Sequence, residues 1–261
     1  MTKLPRAKKS LGQNFLVNEG VLARIVEAAE IRAGDSVLEA GPGTGALTTR
    51  LADAGAQVIA VEKDRSLVDS LRRTFADRAA VQILEGDILT FDPAAHGMRA
   101  GEYKVVANIP YYITSPLIDK ALTAPLPERV VFLVQEEVAD RIAARPGSKA
   151  YGAMSVGVQA VTHVEKLFTV APGAFRPPPK VRSALIRLTP LTQPLARSEE
   201  IAPLRVFVTA CFSKRRKQLK NAVPGLRAED LEALGFDPSV RPERLAPEAF
   251  VRLLRHRQSL G

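Results

Sequence analysis

The sequence predicts an α/β protein: a doubly wound, mainly parallel sheet followed by a small helical domain at the C-terminal end. Three observations carry this. Short runs rich in Val, Ile and Leu recur at 36–40, 58–61, 81–84, 103–107 and 130–134, with helical patterns between them. Such alternation builds βαβ units, and strands apolar on both faces belong in a sheet covered on both sides. The first run enters Gly41-Pro42-Gly43-Thr44-Gly45, whose glycines let the backbone bend tightly and approach a ligand. Past Pro190 no strand signal returns, and only amphipathic helical patterns remain.

In order, residues 1–17 read as a basic arm with Lys3, Arg6, Lys8 and Lys9, followed by a segment too short and mixed to assign. Residues 18–189 form the main domain. Asn18 is placed to cap a helix carrying Val21, Leu22, Ile25, Val26 and Ala29 on one face. After the glycine turn, Leu47 and Leu51 mark a helix running to Gly55, and Val58–Val61 a strand ending at Glu62. Asp64 caps the helix of Leu67, Val68, Leu71 and Phe75. The next two strands end at Glu85-Gly86-Asp87 and at Asn108, and Ser115-Pro116 gives a capping hydroxyl followed by proline at a first helical position. A fifth strand at 130–134 precedes a charged helix, and a further helix follows Tyr151. The stretches 161–168 and 183–188, joined by a Pro-rich turn, suit an antiparallel pair at the sheet edge. Residues 190–261 form the helical domain, with helices marked by Leu204 to Phe212, by Leu231 and Leu234, and by Pro247 to Leu254.

Composition narrows the function. The chain has 261 residues, 46% hydrophobic and 25% charged, ordinary for a globular protein of one large domain or one large and one small. It contains no run of about 18 apolar residues, and its basic N-terminus lacks an apolar stretch behind it, so neither a membrane span nor a secretory leader is expected. Cys211 is the single cysteine, which excludes an internal disulfide and a cysteine-based zinc site. The three histidines have no partners at metal-ligand spacing. No metal is expected, and the setting is reducing and cytoplasmic. The net charge of +9 points to a polyanionic partner such as nucleic acid.

The glycine turn admits two readings. As Gly41-x-Gly43-x-x-Ala46, with Glu62 about 20 residues downstream, it fits a dinucleotide fingerprint. As Glu39-x-Gly41-x-Gly43-x-Gly45, it resembles the first motif of class I S-adenosylmethionine-dependent methyltransferases. Glu39 favours the second, because an acid against the turn repels a pyrophosphate and suits a cationic ligand. Glu62, Asp87 and Asn108 stand at successive strand ends, where doubly wound sheets bind ligands. Glu62 suits a pair of ribose hydroxyls, and Asp87 an adenine amino group.

Asn108-Ile109-Pro110-Tyr111 is the most specific signal. The exocyclic amine of adenine is a poor nucleophile because its lone pair is delocalised into the ring. Two acceptors on its N–H groups direct the lone pair to a methyl donor, and the Asn108 side-chain oxygen and the Ile109 carbonyl, fixed by Pro110, supply them. Tyr111 offers an aromatic face for the base.

With these residues the chain resembles the ribosomal RNA adenine N6-dimethyltransferase family, most of all its small-subunit (16S) members. The likeness covers nearly the whole length, through Leu11-Gly12-Gln13-Asn14-Phe15-Leu16, Glu39 to Thr48, Asn108 to Tyr112, and Phe175-Arg176-Pro177-Pro178-Pro179-Lys180-Val181-Arg182-Ser183. It implies a Rossmann-like class I methyltransferase fold with S-adenosylmethionine as cofactor. It implies that Asn14 and Leu16 line the cofactor site with Gly41, Gly43, Glu62 and Asp87, that Asn108 bridges cofactor and target base, and that Phe175 joins Tyr111 in clamping the adenine. The implied substrate is a pair of adjacent adenosines near the 3′ end of 16S rRNA, in the small ribosomal subunit or its precursor, met by a monomer. Ser10-Leu11 departs from the basic-aromatic pair of many members, which bears on an RNA contact and not on the cofactor residues. Relatives that methylate large-subunit RNA and confer antibiotic resistance share the family.

Lys214, Arg215, Arg216, Lys217 and Lys220 lie in a stretch, 201–228, without any acid. A charge run is usually a solvated face. Beside a nucleotide-modifying site it suits phosphates, as do Lys8 and Lys9. Two other classes stand beside the enzyme: an assembly factor acting by binding, and an NAD-dependent dehydrogenase, for which no substrate-polarising acid is found.

Overall fold

The computed structural model describes residues 5, 7, 8, 11–214 and 217–260. Lys9, Arg215 and Arg216, expected to contact RNA, lie outside the described residues.

The order of elements follows the apolar runs. A two-residue strand β1 (Phe15–Leu16) leads into α1 (Glu19–Ala29), whose first turn is capped by the Asn18 side chain accepting from Val21 N. Then come β2 (Ser36–Ala40), α2 (Ala46–Asp53), β3 (Gln57–Glu62), α3 (Arg65–Thr74), β4 (Val81–Glu85) and β5 (Tyr103–Asn108). A 3-10 turn, Tyr111–Ile113, runs into α4 (Thr114–Ala121), followed by β6 (Arg129–Gln135), α5 (Glu136–Ile142), α6 (Ala153–Gln159) and β7 (Thr162–Val170). The strands β8 (Phe175–Arg176) and β9 (Ser183–Pro190) and the helices α7 (Ser198–Ser213), α8 (Leu219–Ala222), α9 (Ala228–Ala233) and α10 (Pro247–Ser259) complete the chain.

The main sheet has seven strands in the order β4-β3-β2-β5-β6-β9-β7. The five from β4 to β6 are parallel, with Leu38 paired to Ile59 on one side and Val105 on the other. β9 is antiparallel to β6, placing Leu188 against Val130 and Ser183 against Gln135. The expected edge pair is thus present as the neighbours β9 and β7. Val37, Val58, Ala60 and Val106 are buried and pack with Leu51 of α2 and Val68 and Leu71 of α3.

Two features depart from the sequence reading. Ser115-Pro116 does not open α4: the helix starts at Thr114, and Ser115 supplies no cap. The preceding 3-10 turn already presents a helical backbone, and Thr114 Oγ1 donates to Tyr111 O at 3.1 Å. Pro116 is tolerated because a first-turn N–H has no intrahelical acceptor. The second feature is β1, which pairs with β8, Phe15 opposite Arg176 and Leu16 opposite Phe175, across 160 residues of chain.

The chain divides into two compact units, Met1–Ala139 with Glu165–Thr189, and Asp140–Val164 with Pro190–Gly261. The second therefore takes in residues 140–164 as well as the expected 190–261. Helix α6 packs on α7, and the buried Tyr151 hydroxyl donates to Leu245 O at 2.8 Å, contacts that no local pattern announces. Within this unit Phe212 lies between Tyr151 and Phe250, and the buried Glu200 carboxylate accepts from both Arg197 and Arg255. No helix among the described residues is long and apolar enough to cross a membrane.

Candidate active site

Strand order reverses at β2, which has β3 on one side and β5 on the other, and the carboxyl ends there open into a cleft of about 1040 Å³ counted with its open mouth. The glycine turn forms one wall, and its glycines answer to different constraints. Gly41 has φ +69°, and a Cβ there meets no atom within 4 Å, so the space a side chain would fill is left open beside the cleft. A Cβ on Gly43 would stand 3.1 Å from Phe15 Cδ1, and one on Gly45 2.8 Å from Phe75 Cε2. The turn therefore closes tightly on the N-terminal segment and on α3 while leaving room for a ligand.

Glu39, Glu62 and Asp87 all line the cleft. Glu39 is buried, its Oε2 accepting from Thr48 Oγ1 at 2.6 Å, and burial pushes its carboxyl up to about 8. Without a cation beside it, burial therefore favours the protonated form of Glu39. Glu62 braces the turn, accepting from Gly43 N at 3.1 Å through Oε2 and from Asp64 N at 2.7 Å through Oε1. Burial raises its pKa too. Each oxygen keeps a further lone pair for a ribose hydroxyl. Asp87 accepts from Lys63 Nζ at 2.7 Å and from Leu89 N at 3.0 Å, and the Lys63 contact lowers its pKa. Lys63 was not singled out from the sequence; its place directly after Glu62, at a strand end facing Asp87, was the available signal.

The N-terminal segment crosses this site as a strap. Asn14 and Leu16 line the cleft, and Asn108 donates its side-chain N–H to Asn14 O at 3.0 Å. That bond assigns Nδ2 to the strap and leaves Oδ1 as the accepting end of the amide. Asp64 fastens the other side, accepting from Lys8 Nζ at 2.6 Å and Gln13 Nε2 at 2.9 Å. Burial of Asp64 opposes ionisation, but the bonds from Lys8, Ser66 and Gln13 outweigh it and bring the carboxyl to about 2. Asp64 thus caps α3, as its sequence position indicates, and also anchors the strap, which only the fold reveals. Lys8, expected on RNA, has its ammonium on this carboxylate and on Ser66 Oγ.

Ile109, Pro110, Tyr111 and Phe175 line the same cleft. Tyr111 is half-buried, its hydroxyl 2.8 Å from Ser183 Oγ, and burial raises its pKa. Phe175 is only 1% exposed and forms wall, held by the pairing of β8 with β1. Lys214, Lys217 and Lys220 are exposed in the second unit.

A reversed strand order, an open-sided glycine turn and strand-end acids are the architecture of class I methyltransferases, whose methyl donor is S-adenosylmethionine. The donor set fits that cofactor: acceptors for ribose and adenine, and a buried carboxyl that a cation would ionise. Among solved structures, the chain is similar to a dimethyladenosine transferase from Plasmodium falciparum (TM-score 0.78, 27% identity, 94% of this chain and 98% of that one) and to the 23S rRNA methyltransferase ErmE (TM-score 0.72, 31% identity, 94% and 100%). Residues 5–255 match the model of the ribosomal RNA adenine dimethylase family, and the chain belongs to that family. It is 44% identical over 250 residues to the ribosomal RNA small subunit methyltransferase A of Pseudomonas aeruginosa, covering 95% of this chain and 93% of the relative. It is 46% identical over 259 residues to the protein of the same name from Thermosynechococcus vestitus, covering 95% and 96%.

Proposed function

We propose that this rRNA adenine dimethyltransferase acts on small-subunit RNA, converting two adjacent adenosines near the 3′ end of 16S rRNA to N6,N6-dimethyladenosine within the subunit or its precursor. The observation that carries the reading is the end of β5, where Asn108 enters the cleft with its N–H tied to the strap. S-adenosylmethionine supplies an electrophilic methyl group on a sulfonium sulfur. Glu62 and Asp87 would hold the ribose and adenine of that cofactor, and the glycine turn would let the protein backbone lie close to it. Asn108 Oδ1 and the Ile109 carbonyl accept from the two N–H groups of the target amine, which frees the nitrogen lone pair for in-line attack. Tyr111 stacks on the base, and Phe175 backs it from the wall. With that cofactor bound, the methyl group would pass from sulfur to the amine nitrogen and the extra amine proton would leave to solvent. Positioning and preorganised acceptors account for the rate. The base reaches the cleft unstacked from its neighbours.

The 44% and 46% identity to small-subunit enzymes favours this substrate over the large-subunit RNA of ErmE, to which the chain is 31% identical. We take the enzyme to act as a monomer in the cytoplasm, where small ribosomal subunits are assembled. The test is transfer of labelled methyl to unmodified small-subunit particles and, in parallel, to large-subunit RNA, with the modified nucleotides mapped. Label on N6 of adjacent adenosines of 16S rRNA is expected; label confined to large-subunit RNA would assign the second substrate instead.

A further inference from the structure

Tyr112 differs sharply from Tyr111, its neighbour in the chain. Tyr111 is half-buried and tied to Ser183, whereas Tyr112 is 55% exposed. Among the described residues the exposed large apolar side chains are Tyr112, Val181, Val206 and Leu260, and of these Tyr112 alone lines the cleft. A single exposed apolar residue is ordinary on a protein surface. What distinguishes this one is its place, at the cleft and beside the strap. A Cβ on Gly12 would stand 3.2 Å from Tyr112 Cδ1 and 3.6 Å from Cε1, so the strap packs along that side of the ring. Gly12 has φ +57°, a conformation that also favours glycine. The backbone of Tyr112 lies in the 3-10 turn that leads directly into α4. Lys63, which also lines the cleft, has its ammonium on Asp87.

A solvent-open aromatic ring beside a base pocket is what a nucleotide strand needs on leaving that pocket. RNA is continuous through the target residue, and a base pulled out of its own stack leaves its neighbour with an uncovered π-face. Aromatic side chains cover such faces with little regard to base identity.

We propose that Tyr112 is a stacking platform for the nucleotide flanking the target adenine, so that the enzyme holds two successive bases, one in the cleft against Tyr111 and the next on Tyr112. The proposal rests on the reading of the cleft as an adenine N6 site and adds a second subsite to it, for a base of any identity. The subsite uses the ring and not the hydroxyl.

The test compares wild type, Tyr112→Phe and Tyr112→Ala on unmodified small-subunit particles reconstituted with either the natural base or an abasic residue beside the methylated adenosine. On natural particles Tyr112→Ala raises KM by roughly ten-fold, within the range of one lost base–aromatic stack, while kcat is retained and Tyr112→Phe behaves as wild type. On abasic particles wild type shows the same rise in KM, and Tyr112→Ala loses nothing more. A wild-type KM for Tyr112→Ala on natural particles would overturn the platform. An undiminished Tyr112→Ala defect on abasic particles would also overturn it, as would weakened calorimetric binding of S-adenosylmethionine, since both would mean that the ring serves only the strap. The underlying reading is scored separately by wild type on natural particles: absence of N6-methylated adenine there would overturn the adenine site, and the platform with it.

Discussion

Asn108 and Asn14 meet through a single hydrogen bond, the Asn108 side-chain N–H to the Asn14 carbonyl at 3.0 Å. It joins the end of a central strand to a strap 94 residues earlier in the chain, and it fixes which end of the Asn108 amide is left to accept.

Asn108→Ala removes the proposed acceptor as well as this bond. Methyl transfer is expected to fall by about 10²–10³, as for loss of other preorganised hydrogen-bonding groups, with a much smaller effect on cofactor binding. Single-turnover rates and calorimetric titration with S-adenosylmethionine give the two numbers; a near-normal rate would remove Asn108 from its role.

Asn108→Asp replaces the donor by a second acceptor facing the Asn14 carbonyl. The strap then loses one of its fastenings at the site, and cleavage within residues 8–14 by a nonspecific protease is expected to accelerate. Equal cleavage rates in variant and wild type would show that the bond does not hold the strap.

Asp64 gives a pH-dependent measurement. Its folded-state pKa of about 2 lies below the ordinary aspartate value of 3.8, so its contribution is present in full above about pH 4 and is lost as pH falls toward 2. The shift corresponds to about 2 kcal/mol. Asp64→Asn should lower stability at pH 7 by up to that amount and lessen the loss of stability on the acid side. Denaturant titrations at several pH values read both effects, and parallel curves for the two proteins would refute the assignment.

Glu39 behaves in the opposite sense. Its pKa is raised from 4.5 to about 8, so the folded protein holds a proton that the unfolded chain releases, and stability falls as pH rises between those values. Glu39→Gln is expected to flatten that fall. A cationic cofactor beside the carboxyl favours its ionised form, so binding of S-adenosylmethionine at pH 7 should release a proton, and Glu39→Gln should abolish the release. Calorimetry in buffers of different ionisation enthalpy measures it; no dependence on buffer in wild type would separate Glu39 from the cofactor.

The exposed lysines of the second unit bear on enzyme versus assembly factor. Replacing Lys214, Lys217 and Lys220 by Gln is expected to weaken particle binding and to reduce its log–log salt slope by roughly 0.7–0.9 per lost phosphate contact, leaving cofactor affinity unchanged. Asn108→Ala should keep the wild-type slope. If both variants impair growth alike, methylation is the cellular role; if only the Gln variant disturbs subunit assembly, occupancy of the particle is the larger part. An unchanged slope would make the cluster a solvated face.

The sequence by itself determined the five parallel strands, the glycine turn and the residues at the strand ends, because these depend on periodicity and on chemistry held within short segments. Val58–Val61 followed by Glu62 reads as a strand ending in an acid wherever it is folded. Only the tertiary structure decided what depends on distant partners. Phe15-Leu16 is too short to register as a strand until β8 supplies its hydrogen bonds. Lys8 reads as part of a basic arm until the fold brings Asp64, 56 residues away, to accept a hydrogen bond from its ammonium. Glu39 reads as an acid before the glycine turn, and only its burial in the fold raises its pKa. Residues 140–164 read as part of the main domain until α6 meets α7 and Tyr151 reaches Leu245. Burial and long-range pairing set protonation and partnership, and neither has a period that a local stretch of sequence can display.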